Sequence, residues 1–232
     1  FIVWFLGFFL QNNQKIIAII PARKNSTRLK NKNFKKFNGR PLIQWTVETA
    51  IKSKYIDKVL VSSDSIKILN LCSKYKDIIL SKRKKKLSLK NSKIEDVITE
   101  EIKNNSLLNF DYFILLQPTS PLRTVKTIDA SIKLILKKNK ATCVSFYKVK
   151  ENYLNIYKIE KTRLKKIKPK KKSSLKGNYF IPSGDVYISN VKKFLKDKKF
   201  IKSTTIPYII EHKYSDIDYK EEFEIAEKTH KV

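Results

Sequence analysis

The chain reads as an α/β fold of three layers, with helices on both faces of a mostly parallel sheet. Three observations carry that expectation. Ile16-Ile17-Ala18-Ile19-Ile20 is a short apolar run rich in β-branched residues that ends in a polar loop, the pattern of a strand buried on both faces. Further short apolar runs at 58–64 and 111–116 are separated by segments whose apolar residues recur at helical spacing. A length of 232 residues is enough for one such domain with a modest insertion and a full core.

The fold is expected over 15–232. Residues 1–14 open with FIVWFLGFFL and are expected to be an extraneous or disordered apolar segment. Ten apolar residues fall short of the roughly 20 that span a bilayer. The basic flank and small-residue cleavage site of a signal peptide are also missing. After the first strand comes PARKNSTRLKNKN at 21–33, in which Arg23, Lys24, Arg28, Lys30 and Lys32 are mixed with Asn25, Ser26 and Thr27. Cations and small donors at that density suit a polyphosphate, and the carboxyl edge of a strand is where α/β sheets bind ligands. The stretch has no glycine, so it is neither G-x-G-x-x-G nor a P-loop. A solvated basic loop is the competing description.

Gly39-Arg40-Pro41 puts Pro at a favoured first helical position, and Leu42, Trp45, Val47 and Ile51 predict a helix over 41–52. Residues 58–64 form the second strand, with Asp64 or Ser65 capping a helix over 65–75. A short strand at 77–80 leads into the cationic stretch 81–93. Ile94, Val97, Ile98 and Ile102 share one face of a helix. The strand at 111–116 feeds Gln117-Pro118-Thr119-Ser120-Pro121-Leu122-Arg123, whose two prolines stiffen the turn and allow Gln117, Thr119 and Ser120 to be aimed at a ligand. Arg123 stands just before a helix over 124–138, where the dipole mildly disfavours a cation. Its anionic partner is either a structural carboxylate or a ligand. A strand at 141–147, a lysine-rich excursion at 148–180, a strand at 185–189 and an acidic helix at 219–229 complete the order. Asp216 and Asp218 lie on one side of an extended segment. Both can face one Mg²⁺, a hard cation that takes carboxylates together with substrate phosphates. Asp218 and Glu221 also make a capping-box pattern.

The net charge of +30 suggests nucleic acid or an anionic surface. Only six of the 51 basic residues are Arg, however, and the Lys are scattered among Ile and Asn. No RNP-type aromatic motif, zinc finger or basic zipper accompanies the charge, so neither a specific nucleic acid nor a membrane is expected as partner. Cys72 and Cys143 sit in apolar surroundings and make no disulfide scaffold or metal knuckle, which points to a reducing cytoplasm.

The opening loop, I-P-A-R-x-x-S-x-x-x-x-K-N, resembles the first motif of the acylneuraminate cytidylyltransferases, the CMP-sialic acid synthetases; Ala22, Arg23, Ser26, Lys32 and Asn33 match it. Ser26-Thr27-Arg28-Leu29 resembles the S-T-R-L of the related CMP-Kdo synthetases. Q-P-T-S-P-L-R matches the sialic acid family at every position, whereas CMP-Kdo synthetases carry an acidic turn there. Ser215-Asp216-Ile217-Asp218 is similar to the family's S-I-D-I-D in spacing. The resemblance implies a nucleotidyltransferase-type, Rossmann-like domain that joins CTP to an acidic nine-carbon 2-keto sugar, giving a CMP-sugar and pyrophosphate for surface glycans. It implies that Arg23 and Lys32 are catalytic on the phosphates, that Ala22, Ser26 and Asn33 bind the nucleotide, and that Arg83 lies by the base. Gln117, Thr119, Ser120 and Arg123 would serve substrate binding, Asp216 and Asp218 would hold Mg²⁺, and 148–180 would reach across a homodimer. The chain departs from the family at Lys84-Lys85-Lys86, where R-P-x-E-L-A is absent. It departs again at Ile181 and Ser183, which replace the Arg and Asn of F-R-P-N-G-A-I-Y-I. A CMP-Kdo synthetase-like enzyme, a D-x-D glycosyltransferase and a basic non-enzymatic binding protein are the alternatives.

Overall fold

The computed structural model describes residues 14–26, 28–149, 156–160, 163–167, 179–211 and 216–229. The apolar run after Lys15 is strand β1 (Ile16–Pro21), buried along all but its last residue. Two short strands, β2 (Lys36–Phe37) and β3 (Arg40–Pro41), form a hairpin closed by Asn38 and Gly39. Both turn residues have positive φ, 43° and 79°, as a two-residue primed turn demands, and Asn-Gly meets that demand at least cost. Helix α1 (Leu42–Ile51) follows, starting one residue later than the sequence predicts, with Pro41 as its N-cap residue and not its first helical residue. The alternation continues through β4 (Lys58–Ser63), α2 (Ile66–Cys72), β5 (Ile78–Lys82), α3 (Ile94–Asn104), β6 (Tyr112–Leu115), α4 (Val125–Lys138) and β7 (Thr142–Val149).

Beyond β7 the expected charged excursion contains an antiparallel pair, β8 (Ile156–Glu160) and β9 (Arg163–Ile167). It is anchored to the sheet where Tyr157 pairs with Phe180 of β10 (Tyr179–Asn190). The rest of the excursion, and residues 1–13 of the apolar segment, lie outside the described residues. Helix α5 (Val191–Asp197), β11 (Ile206–Ile210) and α6 (Lys220–Thr229) end the chain. The sheet order is β11-β7-β10-β6-β1-β4-β5. Its strands run parallel except for β10, which is antiparallel to both β6 and β7.

Side-chain alternation along β1 divides the core. Ile16, Ala18 and Ile20 face α1, α2 and α4 through Ile43, Val47, Ile68, Cys72, Ile128 and Ile132. Ile17 and Ile19 face the other layer, with Ile98 and Ile102 of α3 and Phe194 of α5. This gives the three-layer α/β/α sandwich that the sequence predicts. Both cysteines are buried core residues, and burial pushes their thiols up to about 11 and about 12. No helix among the described residues is long and apolar enough to cross a membrane.

Functionally, the important feature is the order around β1. The chain leaves β1 for β4 and β5 on one side, then returns as β6 on the other. The loops after β1 and β6 therefore diverge at a topological switch point, the place where open α/β sheets take ligands. A third, smaller cluster lies beside that point, joining Leu29, Phe37 and Leu42 to Ile217, Phe223 and Ala226 from the end of the chain.

Candidate active site

The loop after β1 is shaped by partners distant in sequence. The Ala22 amide donates to Ser62 O at 2.8 Å, and the Lys24 amide donates to Asp64 Oδ1 at 2.6 Å. Asp64 is thus a loop anchor, not the expected cap: α2 begins at Ser65 without a side-chain cap bond. Asn33 Nδ2 returns to Arg23 O at 2.9 Å, closing the loop on itself. Asn31 sits in the left-handed region that Asn tolerates, at φ 55°. This turns the chain so that Lys32 and Asn33 point inward, both buried.

Lys32 is the strut of the site. Its Nζ donates to Ile217 O at 2.7 Å and to Asp218 Oδ1 at 2.8 Å, while Arg28 holds the other Asp218 oxygen. The Ile217 amide donates to Thr119 O at 2.7 Å. The segment 216–218 is therefore clamped between the first loop and the Q-P-T-S-P-L-R turn. Gly184 permits the remaining contact. At φ 86° it passes so close to Asp216 that an added Cβ would lie 3.2 Å from the Asp216 Cβ, tighter than ordinary packing. Only the returning half of the expected capping box forms, and it is shifted by one residue. Glu222 Oε2, not Glu221, accepts the amides of Asp218 and Tyr219 at 2.6 and 2.9 Å. The Asp218 carboxylate is left facing the cations.

These elements line a cleft of about 380 Å³. One end carries Arg23, Ser26, Arg28 and Lys32, with Asp216 and Asp218 among them. The other end carries Arg83 with Leu87, Leu89 and Val97, so the cationic stretch after β5 forms a wall with an apolar face. Arg23 Nη1 donates to Leu89 O at 3.2 Å and bridges the two ends. Asp216 keeps an exposed surface toward the cleft but has protein packed behind it. That desolvation raises its pKa, the nearby Asp218 charge adds to the rise, and the Thr119 hydroxyl and Lys32 oppose it. Arg83 is 7% exposed, and burial pulls it down to about 10 against the support of Glu101 and Asp64.

Of the predicted site residues, Arg23, Ser26, Lys32, Asn33, Arg83, Gln117, Thr119, Asp216 and Asp218 come together on this cleft. Ala22, Ser120 and Arg123 do not. Ala22 is fully buried and its amide is spent on Ser62. Ser120 is 1% exposed, and its hydroxyl has no hydrogen-bond partner among the described residues. Arg123 takes the structural option. It is 3% exposed and donates to Asp185 O at 2.5 Å and Gln117 O at 2.6 Å, bracing the turn rather than reaching a ligand. A second cavity, about 310 Å³, shares Gln117 and Ile94 with the cleft and adds Glu95, Leu115, Tyr187, Lys199, Phe200 and Ile201. The sequence reasoning missed it, because its wall combines β10 with the unpredicted stretch after α5.

The family described as Cytidylyltransferase matches residues 17–227. The chain belongs to the cytidylyltransferase family. It is 32% identical over 219 residues to the N-acylneuraminate cytidylyltransferase of Escherichia coli O18:K1:H7, an alignment covering 91% of this chain and 51% of that protein. The chain therefore spans about half the length of that relative. It is 28% identical over 214 residues to the CMP-N,N'-diacetyllegionaminic acid synthase of Legionella pneumophila, covering 88% of this chain and 90% of that one. Among solved structures it is similar to a CMP:2-keto-3-deoxy-manno-octonic acid synthetase complexed with CTP. The TM-score is 0.73 at 15% identity, over 93% of this chain and 98% of the other, which establishes a shared fold. In this cytidylyltransferase the Ser183 departure has a structural explanation and the Ile181 departure has a defined place in the sheet. Ser183 is buried with its hydroxyl on Ser145 Oγ at 2.7 Å, and Ile181 pairs with Tyr147 across β10 and β7.

Proposed function

We propose that this cytidylyltransferase activates an acidic 2-keto sugar of the sialic acid type with CTP, releasing pyrophosphate and a CMP-sugar. The observation that carries the reading is the cleft at the switch point, where Arg23, Arg28 and Lys32 face Asp216 and Asp218 at one end and an apolar wall with Arg83 stands at the other. A nucleoside triphosphate has that polarity: a flat base and a polyanionic tail. The names of the Escherichia coli and Legionella relatives support a nonulosonate as the acceptor. Gln117 stands between the cleft and the second cavity, where its amide can both donate to and accept from a sugar. Leu115, Tyr187, Phe200 and Ile201 offer apolar surface to an acyl substituent, and Lys199 offers a cation to the sugar carboxylate.

The reaction forms a bond from the anomeric hydroxyl oxygen to the α-phosphorus and breaks the bond to the pyrophosphate leaving group. Its catalysis is mostly positioning and charge neutralisation. Arg23 and Lys32 would hold the phosphates, and Ser26 and Asn33 would donate to the nucleotide. The site fits Mg²⁺ by its donor set. Two carboxylates lie near one another, the Asp218 charge disfavouring that of Asp216, and Gly184 leaves room for Asp216. Bound there, Mg²⁺ would neutralise phosphate charge, with Asp216 and Asp218 as its protein ligands. We further propose a homodimer formed through the 148–180 excursion, acting in the cytoplasm.

The test is pyrophosphate release from CTP and Mg²⁺ against a panel of N-acetylneuraminate, legionaminate, pseudaminate and Kdo. Release that depends on one of the nine-carbon acids supports the reading. No release with any sugar, or release independent of sugar, refutes it.

A further inference from the structure

We infer that Ser62 and Glu101 are positioning residues that fix the Arg83 guanidinium for reading the nucleotide base. The inference rests on the proposed CTP-dependent reaction and concerns the base end of the same cleft. No sequence motif marks Glu101, and Ser62 reads in the sequence only as part of a strand. Glu101 sits on α3, and Ser62 is the penultimate residue of β4.

The geometry is a relay of short bonds in a buried place. The Arg83 amide donates to Ser63 O at 2.9 Å, which fixes its backbone against β4. Its Nε then donates to Ser62 Oγ at 2.9 Å and its Nη2 to Ser62 O at 2.8 Å. Ser62 Oγ in turn donates to Glu101 Oε1 at 2.5 Å, and Asn105 Nδ2 holds Glu101 Oε2 at 3.0 Å. Glu101 is 2% exposed and Ser62 is fully buried. A hydroxyl has one proton to give. Because Glu101 takes it, the Ser62 lone pairs must face Arg83, and the serine accepts from Nε in one orientation only. The buried carboxylate also offsets the cost of burying the guanidinium charge.

One edge of the guanidinium fork, Nε with Nη2, is thereby occupied, and the Nη1–Nη2 edge remains for the cleft beside Leu87, Leu89 and Val97. Two parallel donors in a fixed plane match adjacent acceptors. Cytosine presents such a pair in N3 and O2. Uracil presents a donor at N3, which would oppose one of the two N–H groups. A guanidinium free to rotate could turn to uracil O2 or O4, whereas a fixed one cannot. The Ser62 carbonyl also receives the Ala22 amide, so the same strand end sets both the base reader and the phosphate loop.

The experiment measures kcat/KM for CTP and for UTP at saturating sugar, in the wild type, Ser62→Ala and Glu101→Gln. Both variants are expected to reduce the CTP-over-UTP ratio, Ser62→Ala by about tenfold, while the sugar KM stays within about twofold of wild type. Asn105→Ala, which removes the bonds to the far oxygen and to the backbone carbonyl of Glu101 but leaves Ser62 and its partner oxygen in place, provides a milder member of the series and should shift the ratio in the same direction. A ratio unchanged in all variants, with melting temperature alone reduced, would overturn the inference and leave the relay as a fold contact. A wild type that turns over UTP as well as CTP would overturn it together with the CTP reading. A CTP-selective wild type with unaltered variants overturns it alone.

Discussion

Asp218→Asn separates the roles open to the terminal carboxylates. Capping is supplied by Glu222, and the Asp218 side chain lies instead between Lys32 and Arg28. In the free protein, Asn keeps one carbonyl oxygen for Lys32 but loses the charge. A hydrogen bond between charged partners contributes about 1.5–3 kcal/mol and an ordinary one about 1, so the Lys32 contact weakens by about 1 kcal/mol. The Arg28 contact is more open, with half of the arginine side chain exposed, and contributes between about 0 and 1 kcal/mol. The combined loss of about 1–2 kcal/mol lowers Tm by roughly 2–8 °C for a domain of this size. Turnover should fall much further, by about 10²-fold, because a hard cation loses one of two carboxylates at the point of charge development. Added Mg²⁺ should restore part of that loss by mass action. The assay is pyrophosphate release at several Mg²⁺ concentrations alongside thermal melts in EDTA. Wild-type turnover at every concentration, with Tm lowered as calculated, would refute the metal role and leave Asp218 as an anchor for Lys32.

Three further outcomes follow from the same geometry. Arg23→Ala and Lys32→Ala should each lose about 10²-fold in turnover, but only Lys32→Ala should also melt early, since Lys32 is buried on two acceptors while Arg23 has a single exposed bond; equal melting curves with wild-type turnover in both would make the loop solvated surface. Asp216 has a folded pKa above its unfolded value, so its ionisation costs stability as pH rises through the window above 3.8. Asp216→Asn should therefore raise Tm in EDTA at pH 7, with the gain shrinking toward pH 4, while turnover drops; a Tm difference independent of pH would contradict the assignment. Gly184→Ala should cut turnover through displacement of Asp216 and strain at φ 86°, an effect visible as a raised Mg²⁺ requirement, and kinetics like wild type would show that the close approach is not needed.

The sheet was legible because its strands are apolar and β-branched, and a strand buried on both faces has no polar face to confuse the pattern. The helices other than α5, which is only seven residues long, were legible in the sequence. What escaped sequence reading depends on partners far apart. Asp64 looks like a cap because Ser65 and a helix follow it, yet the Lys24 amide 40 residues upstream claims its carboxylate. Glu222 rather than Glu221 closes the box, a one-residue difference set by how 216–218 is threaded under Lys32. Arg123 sits in a ligand-type motif, but its donors go to the carbonyls of Gln117 in the turn and of Asp185 on β10, 62 residues away. Strand β11 was missed because Pro207 and its lysine-rich approach mask a run that pairs parallel with β7 at the sheet edge.

The small third cluster sets the order in which this cleft can come into being. Leu29, Phe37 and Leu42 are made early, whereas Ile217, Phe223 and Ala226 come at the end of the fold. Lys32 and Asp218 are 186 residues apart. At about 5–20 residues per second that separation is roughly 10–40 s of ribosome time. As β4, β5 and β6 are made they can pair around β1, while both main cores still wait for residues of β7, β10 and α5, and the lysine strut has no Asp218 to meet. The clamp on Lys32 stays open until residues 216–218 have been made, so a domain stopped before them has the first loop without the carboxylate that braces it.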